Sequence, residues 1–247
     1  MTTVLADRAV FGVIVPSTNT VVEDEYYRHR VPGVSFHAGR ILIRKAELTD
    51  DASFQEFLTD LRGEIGRAVE SVLTCKPDHL IMGMSAETFW GGAEGNAEFE
   101  RMIREMSGLD ITTGASACHA ALSKLGARRI GVITPYQPIA DEQVRRFFTE
   151  MGYEVHAVHG LKCPSATAIA EVGPDTLRAA FAAVDGPDVD ALVQAGTNLP
   201  VMGVAAELEA ELGKPVIAIN AATLWHAYRT LGINDQVPGA GRLLATL

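Results

Sequence analysis

Hydroxyl and amide side chains gather in four short segments of this chain. They are Pro16-Ser17-Thr18-Asn19-Thr20, Gly83-Met84-Ser85-Ala86-Glu87-Thr88, Thr134-Pro135-Tyr136-Gln137 and Ala195-Gly196-Thr197-Asn198. Each closes a short apolar run, and the only ionisable carboxylate among them is Glu87. Neutral donors in such number suit an anion whose charge moves during a reaction, because they stabilise developing negative charge from fixed positions. Any one Ser, Thr or Asn here serves equally well as a turn residue or a helix cap. Their concentration in four segments of the same kind is the signal.

The elements that must position these segments follow from apolar periodicity. Buried parallel strands are expected at Val10–Val15, Val34–Ile43, His79–Met82, Ile111–Thr113, Ile130–Thr134, Val155–Val158, Ala191–Gln194 and Val216–Ile219. Phe54, Phe57, Leu58, Leu61, Ile65, Val69, Val72 and Leu73 recur at three and four, which predicts one long amphipathic helix. Three shorter stripes follow at Phe99–Met106, Val144–Met151 and Val201–Leu212, and all four read as core faces. Strand–helix alternation argues for parallel sheets flanked by helices.

A weak internal repeat divides the chain. GVIVPSTN at Gly12–Asn19 matches GVITPYQP at Gly131–Pro138, and HLIMGMSAET at His79–Thr88 lies against ALVQAGTNLP at Ala191–Pro200. GASACHAALSKLG at Gly114–Gly126 corresponds to NAATLWHAYRTLG at Asn220–Gly232. The expected fold is therefore α/β, with two pseudo-symmetric lobes at 1–115 and 116–220 and the C-terminal segment 220–247 packing back on the first. Ligands of such sheets bind beyond the carboxyl ends of strands, where helix N-termini face outward. That rule brings the four polar segments to one cleft.

Composition excludes several classes. With 247 residues, 47% hydrophobic and 21% charged, the chain is large enough for a core and too apolar for disorder. A formal net charge of −10 and no Lys/Arg block argue against a nucleic-acid partner. No apolar run approaches the roughly 18–20 residues of a membrane span, and the opening MTTVLADRAVFGVIVP lacks a basic stretch before a long apolar one. Cys75, Cys118 and Cys163, spaced by 43 and 45 residues, fit neither a disulfide framework nor a zinc ribbon. A cytoplasmic location is expected, and homo-oligomerisation is left open. GGAEG at Gly91–Gly95 is no dinucleotide fingerprint, and neither a phosphate loop nor a metal-binding His/Asp/Glu pattern is present, so no cofactor and no metal are expected.

At the polar segments a family resemblance emerges. IVPSTNTVVEDE resembles the opening of maleate isomerases, and MGMS followed by FWGG resembles a loop of arylmalonate decarboxylases. TPY, AGTNLP and ACHAALSKLGARRIGVITPY carry the likeness through the rest of the chain. The whole is similar to the maleate isomerase and arylmalonate decarboxylase branch of the aspartate/glutamate racemase superfamily. The resemblance implies a small carboxylate substrate, with Ser17, Thr18, Asn19, Met84, Ser85, Gly196, Thr197 and Asn198 as its binding residues. It also implies that Tyr136 stabilises a carboxylate or enediolate. Proteins of this branch use cysteine at the ends of equivalent strands, and those positions here fall at Gly83 or Met84 and at Gly196.

Both thiols are therefore absent from their expected places, and another group must move the proton. Glu87 is one candidate, since burial beside Phe89 and Trp90 would raise its pKa into the range of a general acid or base. Cys118 is a second, at the start of a helix where a thiol pKa falls; a cysteine in such a place is more often a small buried residue. His119 and His226 read as packing groups. Three functions remain open: a lyase or isomerase acting through an enediolate-like intermediate, a hydratase or hydrolase in which Glu87 activates water, and a carboxylate-binding protein without turnover.

Overall fold

The structure, a computed structural model, describes residues 3–247. Two four-stranded parallel sheets carry the fold. The first contains β1 (Ala9–Pro16), β2 (Val34–Ile41), β3 (His79–Met82) and β4 (Ile111–Thr112), in the order β2-β1-β3-β4. The second contains β5 (Arg129–Thr134), β6 (Glu154–Gly160), β7 (Ala191–Gln194) and β8 (Val216–Ala218), in the equivalent order β6-β5-β7-β8. Gly12 pairs with Leu80 in one and Gly131 with Leu192 in the other, the register that the sequence repeat requires.

Central strands are buried on both faces, which is why β1 (AVFGVIVP) and the first three residues of β7 (ALVQ) read as unbroken apolar runs. Strand β6 stands at an edge and alternates exposed with half-buried residues. Strand β2 stops at Ile41, two residues short of expectation, because the Ile43 N–H donates to Ser17 Oγ and leaves the ladder.

Helices cover the sheets. In the first lobe these are α1 (Val22–Arg28), α2 (Asp51–Leu73), the short α3 (Ala86–Phe89) and α4 (Gly92–Ser107). Asp50 and Ser53 start α2 with a reciprocal capping box, satisfying two otherwise orphaned N–H groups. After α5 (Gly114–Leu125), the second lobe carries α6 (Pro138–Glu150), α7 (Pro174–Val184) and α8 (Met202–Leu212). Gly131 permits the close approach of α7 to β5, since a Cβ there would lie 2.1 Å from the Val184 carbonyl oxygen.

The crossover helix α9 (Ile219–Thr230) packs on α5 and also reaches β3, β4 and α1 of the first lobe. Tyr228 lies over Phe11 and Phe36, and Thr223 Oγ1 meets Tyr26 Oη at 2.6 Å. The last helix, α10 (Gly241–Thr246), instead lies against α8 and α9, where the Arg242 N–H donates to the Glu209 carboxylate at 2.6 Å. Among the described residues no helix is long and apolar enough to cross a membrane.

Candidate functional site

The four polar segments meet between the lobes, around a cavity that, with its mouth, encloses about 440 Å³. From the first lobe, the β1 end supplies Pro16, Thr18 and Asn19, and the β3 end supplies Met84, Ser85 and Ala86. From the second, the β5 end supplies Pro135 and Tyr136, and the β7 end supplies Gly196, Thr197 and Asn198. Equivalent backbone bonds set the two loops that follow β3 and β7: Gly83 N–H donates to Ile14 O at 2.8 Å, and Ala195 N–H to Ile133 O at 2.9 Å. Met84 thereby occupies in the first lobe the place that Gly196 occupies in the second.

The polar floor is a network that crosses the cleft. Ser85 Oγ lies 2.6 Å from Tyr136 Oη and accepts the Thr197 N–H at 3.1 Å. Thr197 Oγ1 donates to the Gly83 carbonyl at 3.0 Å and accepts from Asn19 Nδ2 at 3.3 Å. Asn19 Oδ1 also accepts the N–H groups of Val21 and Val22 at the start of α1. Burial raises the Tyr136 phenol above its ordinary range, although the Ser85 bond opposes the shift, so the group stays protonated and donates.

Asn198 plays a different part. Its Oδ1 accepts the Thr20 N–H at 3.0 Å, and its Nδ2 donates to the carbonyls of Ala166 at 2.8 Å and Thr18 at 3.4 Å. An amide nitrogen has two protons to give, and both are committed to loop backbone. Asn198 therefore ties the lobes together, while Asn19 keeps one N–H free of such duty.

The opposite wall is apolar: Leu48, Phe54 and Phe57 from the start of α2, with Ala166 and Ile169 from the second lobe. Two loops close this side by pairing across the lobes, through Leu48 N–H to Pro164 O at 2.8 Å and Ala166 N–H to Ala46 O at 2.7 Å. The helical stripe identified Phe54 and Phe57 only as core residues, which they also are. Nothing local in the sequence marks Leu48, Ala166 or Ile169, because the pairing of two loops distant in the chain places them.

Three predicted residues stand apart from the lining. Ser17 is exposed and holds the ends of β1 and β2 together. Glu87 follows the lining residue Ala86, but its Oε1 accepts from Arg62 Nε at 2.7 Å and its Oε2 is buried without a hydrogen-bond partner. Burial raises this carboxyl, and Arg62 pulls it back. Cys118 is fully buried within α5, where burial alone pushes its thiol up and away from reactivity. Cys163 is buried in the loop after β6 and Cys75 is exposed beyond α2, so no thiol lines the cavity. Among the described residues no group of three or more His, Cys, Asp or Glu side chains is placed to hold a metal ion.

A family model for arylmalonate decarboxylase matches residues 12–244. The chain belongs to that family. It is 27% identical over 247 residues to a maleate isomerase of Pseudomonas putida, covering 95% of this chain and 96% of the relative. It is 32% identical over 169 residues to the arylmalonate decarboxylase of Bordetella bronchiseptica, covering 66% and 69%. Among solved structures, a cysteine-to-serine variant of the Nocardia farcinica maleate cis-trans isomerase, with a covalently bound succinylcysteine intermediate, superposes with a TM-score of 0.88 at 25% identity, covering 96% and 98%. A maleate-bound isomerase of Pseudomonas putida gives 0.86 at 26% identity, covering 96% and 97%. The two-lobed α/β architecture is thus that of the maleate isomerase and arylmalonate decarboxylase branch, and these family members are enzymes.

Proposed function

We propose that this member of the arylmalonate decarboxylase family is a cofactor-independent lyase or isomerase that acts on a small mono- or dicarboxylic acid through an enediolate-like intermediate, without a thiol. One observation carries the reading. Ser85 Oγ, Tyr136 Oη, the Thr197 N–H and Asn19 converge on one cavity whose lining holds no cysteine and no ionisable carboxylate. A substrate carboxylate seated on this floor gains negative charge as a bond at its α-carbon breaks. Donors already fixed there stabilise that charge without reorganising.

In the decarboxylation form of the reaction, the bond to the departing carboxylate breaks, carbon dioxide leaves, and its electron pair enters the enediolate. The apolar wall of Leu48, Phe54 and Phe57 suits the carboxylate that is lost, which desolvation there favours as neutral carbon dioxide. The α-carbon then needs a proton. Of Glu87, Tyr136 and Cys118, only Tyr136 lines the cavity, so the proton is assigned to its hydroxyl. Water restores it through Ser85. The hydratase reading would require Glu87 within the cavity and gains no support from its ion pair with Arg62. A carboxylate-binding protein without turnover is the second reading; it is favoured by the absence from the lining of any group that titrates near neutrality.

The test is a thermal-shift panel of phenylmalonate, malonate and maleate, followed by proton NMR of each stabilising acid in deuterium oxide. Loss of carbon dioxide, isomerisation, or deuterium at the α-carbon supports the enzyme. Stabilisation without any of these selects the binding protein, and no stabilisation by any acid refutes both readings.

A further inference from the structure

Glu25 is the most deeply buried carboxylate near the cavity, yet it does not line it. It sits on α1, 8% exposed, and reaches the floor through one intermediary. Its Oε2 accepts from Asn220 Nδ2 at 2.6 Å, and the same nitrogen donates to the Thr197 carbonyl at 2.9 Å. Its Oε1 accepts the Met202 N–H at 3.1 Å, at the first residue of α8. Glu25 thus ties α1 of one lobe to α8 and α9 of the other, behind the carbonyl of Thr197, the residue whose own N–H, on the preceding peptide, meets Ser85.

We infer that Glu25 is a positioning residue: through Asn220 its carboxylate orients the Thr197–Asn198 peptide, and thereby the backbone of Thr197 that presents its N–H and hydroxyl to the floor on which carboxylate binding in the cavity depends. This rests on the cavity being a carboxylate site, as proposed above. The physical reason lies in the amide of Asn220. Both of its protons are committed, one to Glu25 and one to Thr197, whereas its Oδ1 is buried with no hydrogen-bond partner. Glu25 accepting on one side and the Thr197 carbonyl on the other hold the amide in this orientation. Once Glu25 carries a proton, Oδ1 becomes the better partner for it. A half-turn of the amide then gives Oδ1 the carboxyl proton and withdraws the donor from the Thr197 carbonyl. An idle buried acceptor beside a titratable acid is thus the second state of a two-state contact.

The environment of Glu25 favours this exchange near neutral pH. Burial pushes its carboxyl up to about 7, against the opposing bonds from Asn220 and Met202. Asp24 on its own helix adds to the upward shift, and Arg28 and His29 line the same solvent-filled hollow beside it. The facing residues of α8 and α9, Met202, Asn220 and Thr223, carry no charge. On β2, Arg40 is engaged by Glu23 and by the carbonyls of Pro16 and Asn19.

The experiment is a pH titration of the whole ligand-free chain by proton–nitrogen NMR between pH 5.5 and 8.5. It follows the backbone amides of Thr197 and Asn198 and the side-chain amide of Asn220. All three should move together with a midpoint near neutrality, and should stay flat in Glu25→Gln. Asn220→Ser, which keeps Glu25 but cuts the link, should flatten the two backbone signals as well. Flat signals in the wild-type chain, or a titration that persists in Glu25→Gln, overturn the inference. In a second arm, phenylmalonate should bind on the order of tenfold more weakly below the midpoint than above it, and Glu25→Gln should abolish the difference. An affinity that ignores the transition would also overturn the positioning role. If the amides titrate as expected but no carboxylate binds at any pH, the reading of the cavity fails, while the coupling of Glu25 to Thr197 stands.

Discussion

Tyr136→Phe separates binding from stability more cleanly than any other change at the site. The ring stays where it is, buried and edge-on to Phe54 with centroids 5.7 Å apart, so packing is kept and only the hydroxyl is lost. In the free protein that hydroxyl makes one neutral bond, to Ser85 Oγ at 2.6 Å. A buried neutral pair contributes about 1 kcal/mol net, which for a chain of this size lowers the Tm by about 2–4 °C. Ser85 keeps the Thr197 N–H, so it is not left without a partner. In the complex the same hydroxyl faces an anion, and a charge-assisted bond is worth about 1.5–3 kcal/mol, or roughly 10- to 150-fold in Kd. Calorimetric titration with phenylmalonate, beside thermal unfolding of the free protein, reads both quantities. A small fall in Tm with a large fall in affinity is expected. Affinity within twofold of wild type, with the Tm lowered, would mean that Tyr136 merely braces Ser85 and that the anion sits elsewhere; the reasoning about the floor would then be refuted.

Further outcomes follow from the same geometry. Asn19→Ala should weaken phenylmalonate binding about tenfold and also lower the Tm, since Asn19 Oδ1 serves the N–H groups of Val21 and Val22; a variant of unchanged stability would contradict that capping role. Glu87→Gln and Cys118→Ser should each leave binding within about threefold of wild type, because neither side chain lines the cavity. Mass spectrometry after iodoacetamide should find Cys75 modified before Cys118 or Cys163, with binding retained. Stability should fall as pH rises from about 4.5 to 7: folded Glu25, raised to about 7, holds its proton where the unfolded chain has released it. Asp141, raised by burial to about 6, acts in the same direction over a lower window. At about 1.4 kcal/mol per pH unit, Glu25 accounts for on the order of 3 kcal/mol. Chemical denaturation of Glu25→Gln across that range should therefore show a flatter profile, and an unchanged slope would locate the titration elsewhere.

Much of this molecule is written in short-range pattern. The apolar runs at the centres of β1, β3, β5 and β7 are satisfied by burial on both faces, and helical stripes between them fix the alternation that makes the sheets parallel. The repeat of GVIVP in GVITP fixes two sheets of one strand order, and strand order fixes which loop ends share a face. That rule selects the four loops, and within them the resemblance to the maleate isomerase and arylmalonate decarboxylase branch points to Thr18, Asn19, Met84, Ser85, Tyr136, Gly196, Thr197 and Asn198, all of which line the cavity.

What each group does there was decided in three dimensions. Glu87 has the residue type of a catalyst, but Arg62, on a helix 25 positions earlier in the chain, claims its carboxylate. Cys118 opens no helix to solvent: it stands at the fifth position of α5 and is fully buried. Asn198 looks like a ligand donor in sequence, yet two loops from different lobes consume its protons. Local pattern reflects burial and secondary structure, which depend on neighbours within a few residues. Partnership and titration depend on which distant group arrives within hydrogen-bond distance, as Asn220 does for Glu25 across 195 positions of chain. Only the packed lobes determine that.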